Sequence, residues 1–268
     1  MKGKTMAAHF RNIIIPIHLF ALGALYLLIS GKVEVAWLWI TFIGWFLFSG
    51  FGIAIGFHRL FSHNAFVTTP LIRKILAYLG CMGAQGSPVF WASLHNGLHH
   101  PFSDTPKDLH SPVNGKFNAY IGWQIYLKPE QVPFRIGARL IREDFLKFLH
   151  KNYDRVYWGS IILVALFSWK LALFGILLPG FISIHQENCV DLFCHLRSCG
   201  YRNWDLKDNS VNVYLLGYLA FGQGWHNNHH ARPSDYNFGG DKWWEFDICA
   251  LLVPLIASKK SEKVKNEI

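Results

Sequence analysis

The sequence has little charge for its length, and two long stretches have none. Charged residues make up 16% of the 268 residues, whereas hydrophobic residues make up 51%. Residues 12–31 and 35–58 contain no Asp, Glu, Lys or Arg. As helices rising about 1.5 Å per residue, both stretches can cross a hydrocarbon core of about 30 Å. This pattern argues against a soluble globular protein and predicts a membrane protein.

The sequence also contains no paired cysteine motifs and has no excess of acidic residues over basic ones. Its five cysteines include no CxxC pair, so no disulfide framework is expected. The net charge is +9, and apart from Lys32 and Lys170 the basic residues lie within residues 2–11, 59–155 and 197–265, outside the apolar stretches. By the positive-inside rule, both termini and both polar regions should face the cytoplasm. No basic stripe lies on a soluble module, so anionic lipid and an acidic redox partner are expected rather than nucleic acid.

Histidine is frequent, and its grouping is more informative than its number. Eight of the 14 histidines form three short groups, which are His58 and His63, then His95, His99 and His100, then His226, His229 and His230. On an α-helix His95 and His99 share one face, whereas His63 lies roughly 140° from His58, so one of that pair should sit at a helix end. Neutral imidazole binds Fe, Zn, Cu and Ni. Eight clustered imidazoles are more ligands than one metal ion can bind, so the sequence predicts two metals.

Four other histidines are expected to be structural, at His9, His18, His110 and His150.

A polar stripe follows the last apolar block. Glu187, Asp191 and His195 recur every four residues, as on one face of a helix. Ionisable groups at membrane depth usually face an internal site. His195 is therefore a candidate ninth imidazole, and Asp191 is a candidate ligand, either direct or through water. The alternative is a polar helix end that emerges into the cytoplasm.

The chain topology follows from the need to bring the histidines together. Residues 156–186 form an apolar block interrupted only by Lys170. If the histidines before and after this block share a site, the chain must cross the membrane an even number of times between them. The block should therefore be a hairpin that turns near Trp169 and Lys170. The same parity keeps residues 75–94 from crossing, and their glycines and Pro88 suit a bent segment buried in protein or lying in the interface.

These patterns predict an all-α integral membrane protein with one domain over residues 1–268. Four transmembrane helices, at about 12–31, 35–57, 153–169 and 171–190, should form two hairpins. The cytoplasmic parts, 58–152 and 191–268, should form a helical cap that holds the metals. The Lys-rich tail from Ser258 should be disordered.

From His58 to Asp247 the sequence resembles the membrane fatty acyl desaturases of the stearoyl-CoA desaturase type. Besides the histidine groups, the resemblance rests on Gln85 and Trp91 just before the second group. It extends through 102–105, 108–110, 122–123, 224–230 and 243–247.

The resemblance implies a di-iron centre and a substrate site. The implied iron ligands are His58, His63, His95, His99, His100, His195, His226, His229 and His230. Asp191 replaces an Asn that in relatives contacts one iron through water. Gln85 and Trp91 should shape a bent acyl tunnel, and Glu187 and Asn188 stand where relatives often have Thr-Trp against the acyl chain.

The second histidine group departs from the closest relatives. It carries one extra residue, between His95 and His99, so its helix must bulge or rotate.

The implied activity is O2-dependent insertion of a cis double bond, of the delta-9 type, into a saturated acyl chain carried by coenzyme A, a carrier protein or a lipid. No catalytic residue is expected beyond the di-iron ligands, because removing hydrogen from unactivated methylenes requires a cofactor. We expect Asp104, Asp108 and Asp247 to orient the ligands. The sequence shows no cytochrome-like domain or dinucleotide fingerprint, so a separate ferredoxin or cytochrome b5 should supply electrons.

Two alternatives use the same histidines. A hydroxylase or other oxygenase of the same superfamily would share all of them, but the Gln85 and Trp91 spacing favours desaturation. A metal transporter should place ionisable groups along a crossing path, whereas here the first two apolar stretches contain almost none.

Overall fold

The computed structural model describes residues 6–258, and the chain is helical over that range. Within these residues there are no paired strands, only isolated bridges such as the one between Thr68 and Ala257. The predicted all-α class is therefore confirmed. The five cysteines all lie in the described part and are free thiols. The tail beyond Ser258, for which disorder is predicted, lies outside the described residues.

Two helices form the first hairpin, Phe10–Ile29 and Trp37–Ser62. Among the described residues, these are the helices that are long and apolar enough to cross a membrane. Gly31, with φ of +65°, turns the chain between them. Large apolar side chains such as Leu22 and Trp39 are exposed along these helices, as expected where lipid replaces water. Membrane association therefore follows from their length and composition.

Residues 70–102 form a broken segment rather than one span. The first helix, Pro70–Met82, begins where the Thr69 hydroxyl accepts a hydrogen bond from the Ile72 N–H. The next helix, Pro88–Leu94, is capped by Ser87. Gly86 lies between them with φ of +88°, a conformation that suits glycine. The bend predicted for residues 75–94 is therefore present.

Close backbone contact fixes the broken segment against the second helix. A Cβ placed on Gly52 would lie 2.4 Å from the backbone nitrogen of Gly80. No side chain fits between backbones at that distance. The helix Trp37–Ser62, which carries His58, is thus held directly against the segment that leads to the second histidine group.

The second apolar block turns at Ser168. The helix Tyr153–Phe167 ends there, and the Ser168 hydroxyl caps the next turn by accepting from the Leu171 N–H. The chain then continues through residues 169–193 without a further break. The turn lies one residue before the predicted Trp169, because Ser168 supplies the cap that a new helix requires.

The helix over residues 169–193 packs against Trp37–Ser62. The Thr41 hydroxyl donates to the Phe174 carbonyl at 2.8 Å, and the Trp45 indole N–H donates to Gln186 Oε1 at 2.7 Å. These contacts set the rotation of the helix that carries Glu187, Asn188 and Asp191.

Short helices occupy the two polar regions. They are Pro112–Asn114, Asn118–Gly122, Trp123–Ile125, Pro129–Gln131, Ala138–Ile141, Asp144–Lys151, Arg197–Cys199, Tyr214–Leu219, His226–Ala231 and Ile248–Ile256. A buried ion pair joins the regions, because Arg59 Nη2 lies 2.8 Å from Asp247 Oδ2 and both side chains are fully inaccessible.

Candidate metal centre

Nine imidazoles from distant parts of the chain meet in two adjoining groups. Group A comprises His58, His63, His95, His100 and His229. Group B comprises His99, His195, His226 and His230. Within each group the candidate ligand atoms all lie within 4.8 Å of one another. The groups adjoin, since the His100 and His230 ring centroids are 4.6 Å apart.

Wide π-type turns explain why His58 and His63 point the same way. The segment Phe46–Ser62 has hydrogen bonds between residues five apart, and the His63 N–H donates to the His58 carbonyl at 3.1 Å. Their ring centroids are consequently 5.1 Å apart. The predicted angle of roughly 140° assumed an α-helix and is wrong here. His63 does follow the last helical residue, as expected for one of the pair.

A second π-type turn accommodates the extra residue of the second histidine group. The segment His95–His99 has this form, and the His100 N–H donates to the His95 carbonyl. His95 and His100 therefore share group A, with their Nε2 atoms 3.0 Å apart. The His99 ring stacks on that of His95 with centroids 5.4 Å apart, so the two share a face as predicted. His99 nevertheless belongs to group B, so the expectation that both point at one place is wrong. The predicted bulge is present.

The spacing of the imidazole nitrogens fits ligands of a common metal. In group A the Nε2 atoms of His58 and His229 are 2.9 Å apart, and those of His63 and His95 are 2.8 Å apart. In group B the Nε2 atoms of His195 and His226 are 3.0 Å apart. Two nitrogens at right angles on one metal, each about 2.1 Å from it, lie about 3.0 Å apart.

The partners of the other ring nitrogens of group B indicate which nitrogen of each neutral ring carries the proton. Nδ1 lies 3.0 Å from a carboxylate oxygen in three rings, in the pairs His99 with Asp108, His195 with Asp104, and His230 with Asp208. Nδ1 of the fourth ring, His226, lies 3.2 Å from the Gln223 carbonyl.

Carboxylates and carbonyls accept, so each Nδ1 donates and each Nε2 carries a lone pair. Lone pairs that face each other at about 3 Å repel, and a metal ion bound between them removes this repulsion. The residues present therefore fit bound metal.

Burial favours the neutral form of rings in both groups, which is the form that binds metal. Burial lowers the pKa of His99 well below its usual range. Burial also lowers the pKa of His229 well below its usual range. Metal ligation requires neutral imidazole, so these two rings do not have to be deprotonated before metal binds.

Two of the three carboxylates expected to orient ligands lie within hydrogen-bond distance of group B imidazoles. Asp104 and Asp108 accept from imidazoles, whereas Asp247 pairs with Arg59 and accepts from the backbone N–H groups of Phe238 and Cys249. The expectation for Asp247 is wrong, because Asp247 forms a buried ion pair with the guanidinium of Arg59 instead of bonding a histidine.

Sequence reasoning missed Asp208 and Gln223. Asp208 lies in a loop with no histidine beside it, so no local pattern marks it. Gln223 lies three residues before His226, and this closeness is the signal that could have identified it.

The polar stripe diverges in space. Its helix ends at Phe193, so His195 lies beyond the helix and joins group B. Asp191 lies outside both groups, with Oδ2 3.8 Å from His110 Nδ1. Glu187 instead bonds the Gln223 side chain.

The histidines expected to be structural mostly have partners outside groups A and B. Ring nitrogens of His9 and His18 lie within hydrogen-bond distance of backbone carbonyls, and His150 bonds the Ser87 hydroxyl. His110 differs, because its Nε2 lies 3.3 Å from Asp108 Oδ1, beside group B.

A cavity of about 400 Å³ adjoins group A at His95. The sequence-predicted residues that line it are Gln85, Trp91, Glu187, Asn188 and Asp191. Gln85 accepts from the Trp91 indole N–H at 3.2 Å and donates to Ser183, so both side chains are held in place. The Trp91 ring centroid is 4.6 Å from that of His95, which sets this wall of the cavity directly against the histidines.

The chain is similar to known proteins over most of its length. The fatty acid desaturase family model matches residues 34–253. The chain is 32% identical over 237 residues to an sn-1 stearoyl-lipid 9-desaturase of Anabaena variabilis, covering 88% of this chain and 86% of that protein.

Two plant proteins are also similar. Delta-9 acyl-lipid desaturase 2 of Arabidopsis thaliana is 32% identical over 222 residues, covering 81% of this chain and 70% of that protein. An acyl-CoA C20 Delta5-desaturase of Anemone leveillei is 28% identical over 246 residues, covering 89% and 78%. The chain therefore belongs to the fatty acid desaturase family and is an oxidoreductase.

Proposed function

We propose that this protein is an O2-dependent desaturase that introduces a cis double bond, of the delta-9 type, into a saturated fatty acyl chain at a di-iron centre. The observation that carries the proposal is the convergence of nine imidazoles on two points beside a cavity that Gln85 and Trp91 line. Two of the similar proteins are named as 9-desaturases and one as a 5-desaturase.

Groups A and B would each hold one iron. Bound iron, with O2 as co-substrate, would supply the removal of hydrogen from unactivated methylenes, which side-chain acids and bases cannot perform. The protein's own part is to hold each Nε2 lone pair toward the metal, and Asp104, Asp108 and Asp208 do this by accepting from Nδ1. Asp191 lies outside both groups, so we propose that it contacts the metal through water rather than directly.

The cavity would hold the acyl chain. The Gln85–Trp91 hydrogen bond fixes the wall next to His95, and this wall would select which carbons lie beside the metals. The amide of Asn188 accepts from Gln124 at 2.9 Å, which joins two other walls. We propose that Glu187 and Asn188 contact the chain and influence the position of the double bond.

The membrane arrangement that fits these elements is four transmembrane helices in two hairpins, with both termini cytoplasmic. Exposed apolar side chains near the second turn, such as Leu166 and Phe167, support a second hairpin in lipid. Residues 58–152 and 191–258 would then form the cytoplasmic cap of a single domain, and the rest of the predicted cap, residues 259–268, lies outside the described residues. A separate ferredoxin or cytochrome b5 would dock on its basic surface and supply electrons.

The test is expression in a host that has a compatible electron donor, followed by mass spectrometry of lipid, coenzyme A and carrier-protein acyl pools. New monounsaturated chains should appear in one pool and be absent with His58→Ala. Double-bond position by chemical derivatisation checks the delta-9 assignment. Hydroxylated chains without new double bonds would overturn desaturation in favour of a hydroxylase, and purified protein that binds fewer than two irons would overturn the di-iron centre.

A further inference from the structure

Glu187 is joined to a group A histidine through a single amide. Gln223 Nε2 donates to Glu187 Oε1 at 2.5 Å. On its other side, Gln223 Oε1 lies 2.8 Å from His58 Nδ1. All three side chains are buried, and Glu187 also lines the cavity.

The carboxylate determines which way the amide points. Glu187 Oε1 accepts from Gln223 Nε2, so the NH2 group of Gln223 faces Glu187 and its oxygen faces His58. His58 Nδ1 then donates, and its Nε2 carries the lone pair that points at His229. With no acceptor at position 187, the amide could flip, present its NH2 group to Nδ1 and favour the tautomer with the proton on Nε2.

A second amide, that of Gln186, also donates to the carboxylate. Gln186 Nε2 donates to the same Glu187 Oε1 at 3.0 Å. Gln186 is itself held by the Trp45 indole, which donates to its oxygen. The chain of donors therefore runs in one direction, from Trp45 on the second helix to the carboxylate.

Gln223 also contacts group B. Its backbone carbonyl lies 3.2 Å from His226 Nδ1, while its side chain bonds His58 of group A. A shift of this one residue would therefore disturb ligands in both groups.

We propose that Glu187 is a positioning residue for the metal centre, which holds Gln223 and through it keeps His58 in the ligand tautomer. This role differs from contact with the acyl chain, and it rests on the metal centre of the proposed function but not on the reaction. The essential property of position 187 is then a hydrogen-bond acceptor rather than a negative charge.

The test uses full-length protein in detergent, stripped of metal and titrated with Co²⁺. Visible absorption reports ligand geometry, and metal analysis gives the stoichiometry. Wild type and Glu187→Gln, which keeps an acceptor oxygen, should bind two Co²⁺ with the same spectrum. Glu187→Leu should alter the spectrum and weaken Co²⁺ binding about 10–100-fold, the usual effect of losing a group that orients a ligand.

The control is Asn188→Leu, which changes the adjacent cavity residue but not the Gln223 chain, and it should leave Co²⁺ binding unchanged. The double variant Glu187→Leu/Gln223→Leu should bind no more weakly than Gln223→Leu, because both changes break the same chain.

Three outcomes overturn the inference. The first is that Glu187→Leu binds Co²⁺ with the affinity and spectrum of wild type. The second is that Glu187→Gln loses as much Co²⁺ affinity as Glu187→Leu, and the third is that the losses of affinity add up in the double variant. Failure of wild type to bind two Co²⁺ would instead contradict the metal centre of the proposed function.

Discussion

Replacing Asp247 should destabilise the fold strongly, because it leaves a guanidinium buried without its counter-charge. Arg59 and Asp247 are both fully inaccessible, and their atoms are 2.8 Å apart. Removing one partner of a buried pair typically costs about 3–5 kcal/mol. Asp247→Asn keeps the size of the side chain but removes the charge, so we expect a loss in that range.

The matched control is a similar pair at the surface. Arg73 and Glu143 form two hydrogen bonds of 2.8 and 2.7 Å, but their side chains are 24% and 41% exposed. Pairs of this kind contribute about 0.2–1 kcal/mol, so Glu143→Gln should cost no more than that.

The assay is equilibrium denaturation in detergent micelles, with the free energy of unfolding compared between the variants and wild type. Because Asp247 contacts no histidine of groups A and B, the folded fraction of Asp247→Asn should still bind two metals per chain. A loss no larger than that of Glu143→Gln would refute the reasoning. So would selective loss of metal from stable protein.

Three further predictions test the site and its frame. Asp208→Ala should weaken metal binding about 10–100-fold by freeing the His230 ring, whereas exposed Asp205→Ala should not, as metal titration would show. Gly52→Val should prevent folding, because its Cβ would overlap the backbone of Gly80. Size-exclusion chromatography in detergent should then show no peak of folded protein. Gly23→Ala is the control and should leave that peak unchanged, because a Cβ there has no atom within 4 Å.

Metal-free protein should lose stability as pH falls below about 6.5, because the unfolded chain binds protons there that the buried rings, His99 among them, reject until their lowered folded-state pKa is reached. Denaturation across pH 5–8 measures this slope, and a flat profile would contradict it.

Much of the site could be predicted because its chemistry lies in residue types and short spacings. All nine histidines named from the sequence are in groups A and B, and Gln85 with Trp91 lines the adjoining cavity. Their roles as iron ligands and substrate contacts stay predictions. The break before Pro88 could also be anticipated, because Gly and Pro act on the local backbone.

Other features depended on contacts between residues far apart in the chain. Asp208 meets His230 across 22 residues, and Gln223 meets His58 across 165. No local pattern marks such partners, and Asp247 was misassigned because its partner Arg59 lies 188 residues away.

Residue types and their spacing were enough to predict a helical, apolar chain with clustered imidazoles for two metals. The assignment of each imidazole to group A or group B depends on the folded chain. His95 and His100 share group A while His99 joins group B, because a π-type turn brings His95 and His100 together and Asp108 orients the His99 ring. Residue type sets what a side chain can bind, whereas helix register and packing set where its nitrogen points.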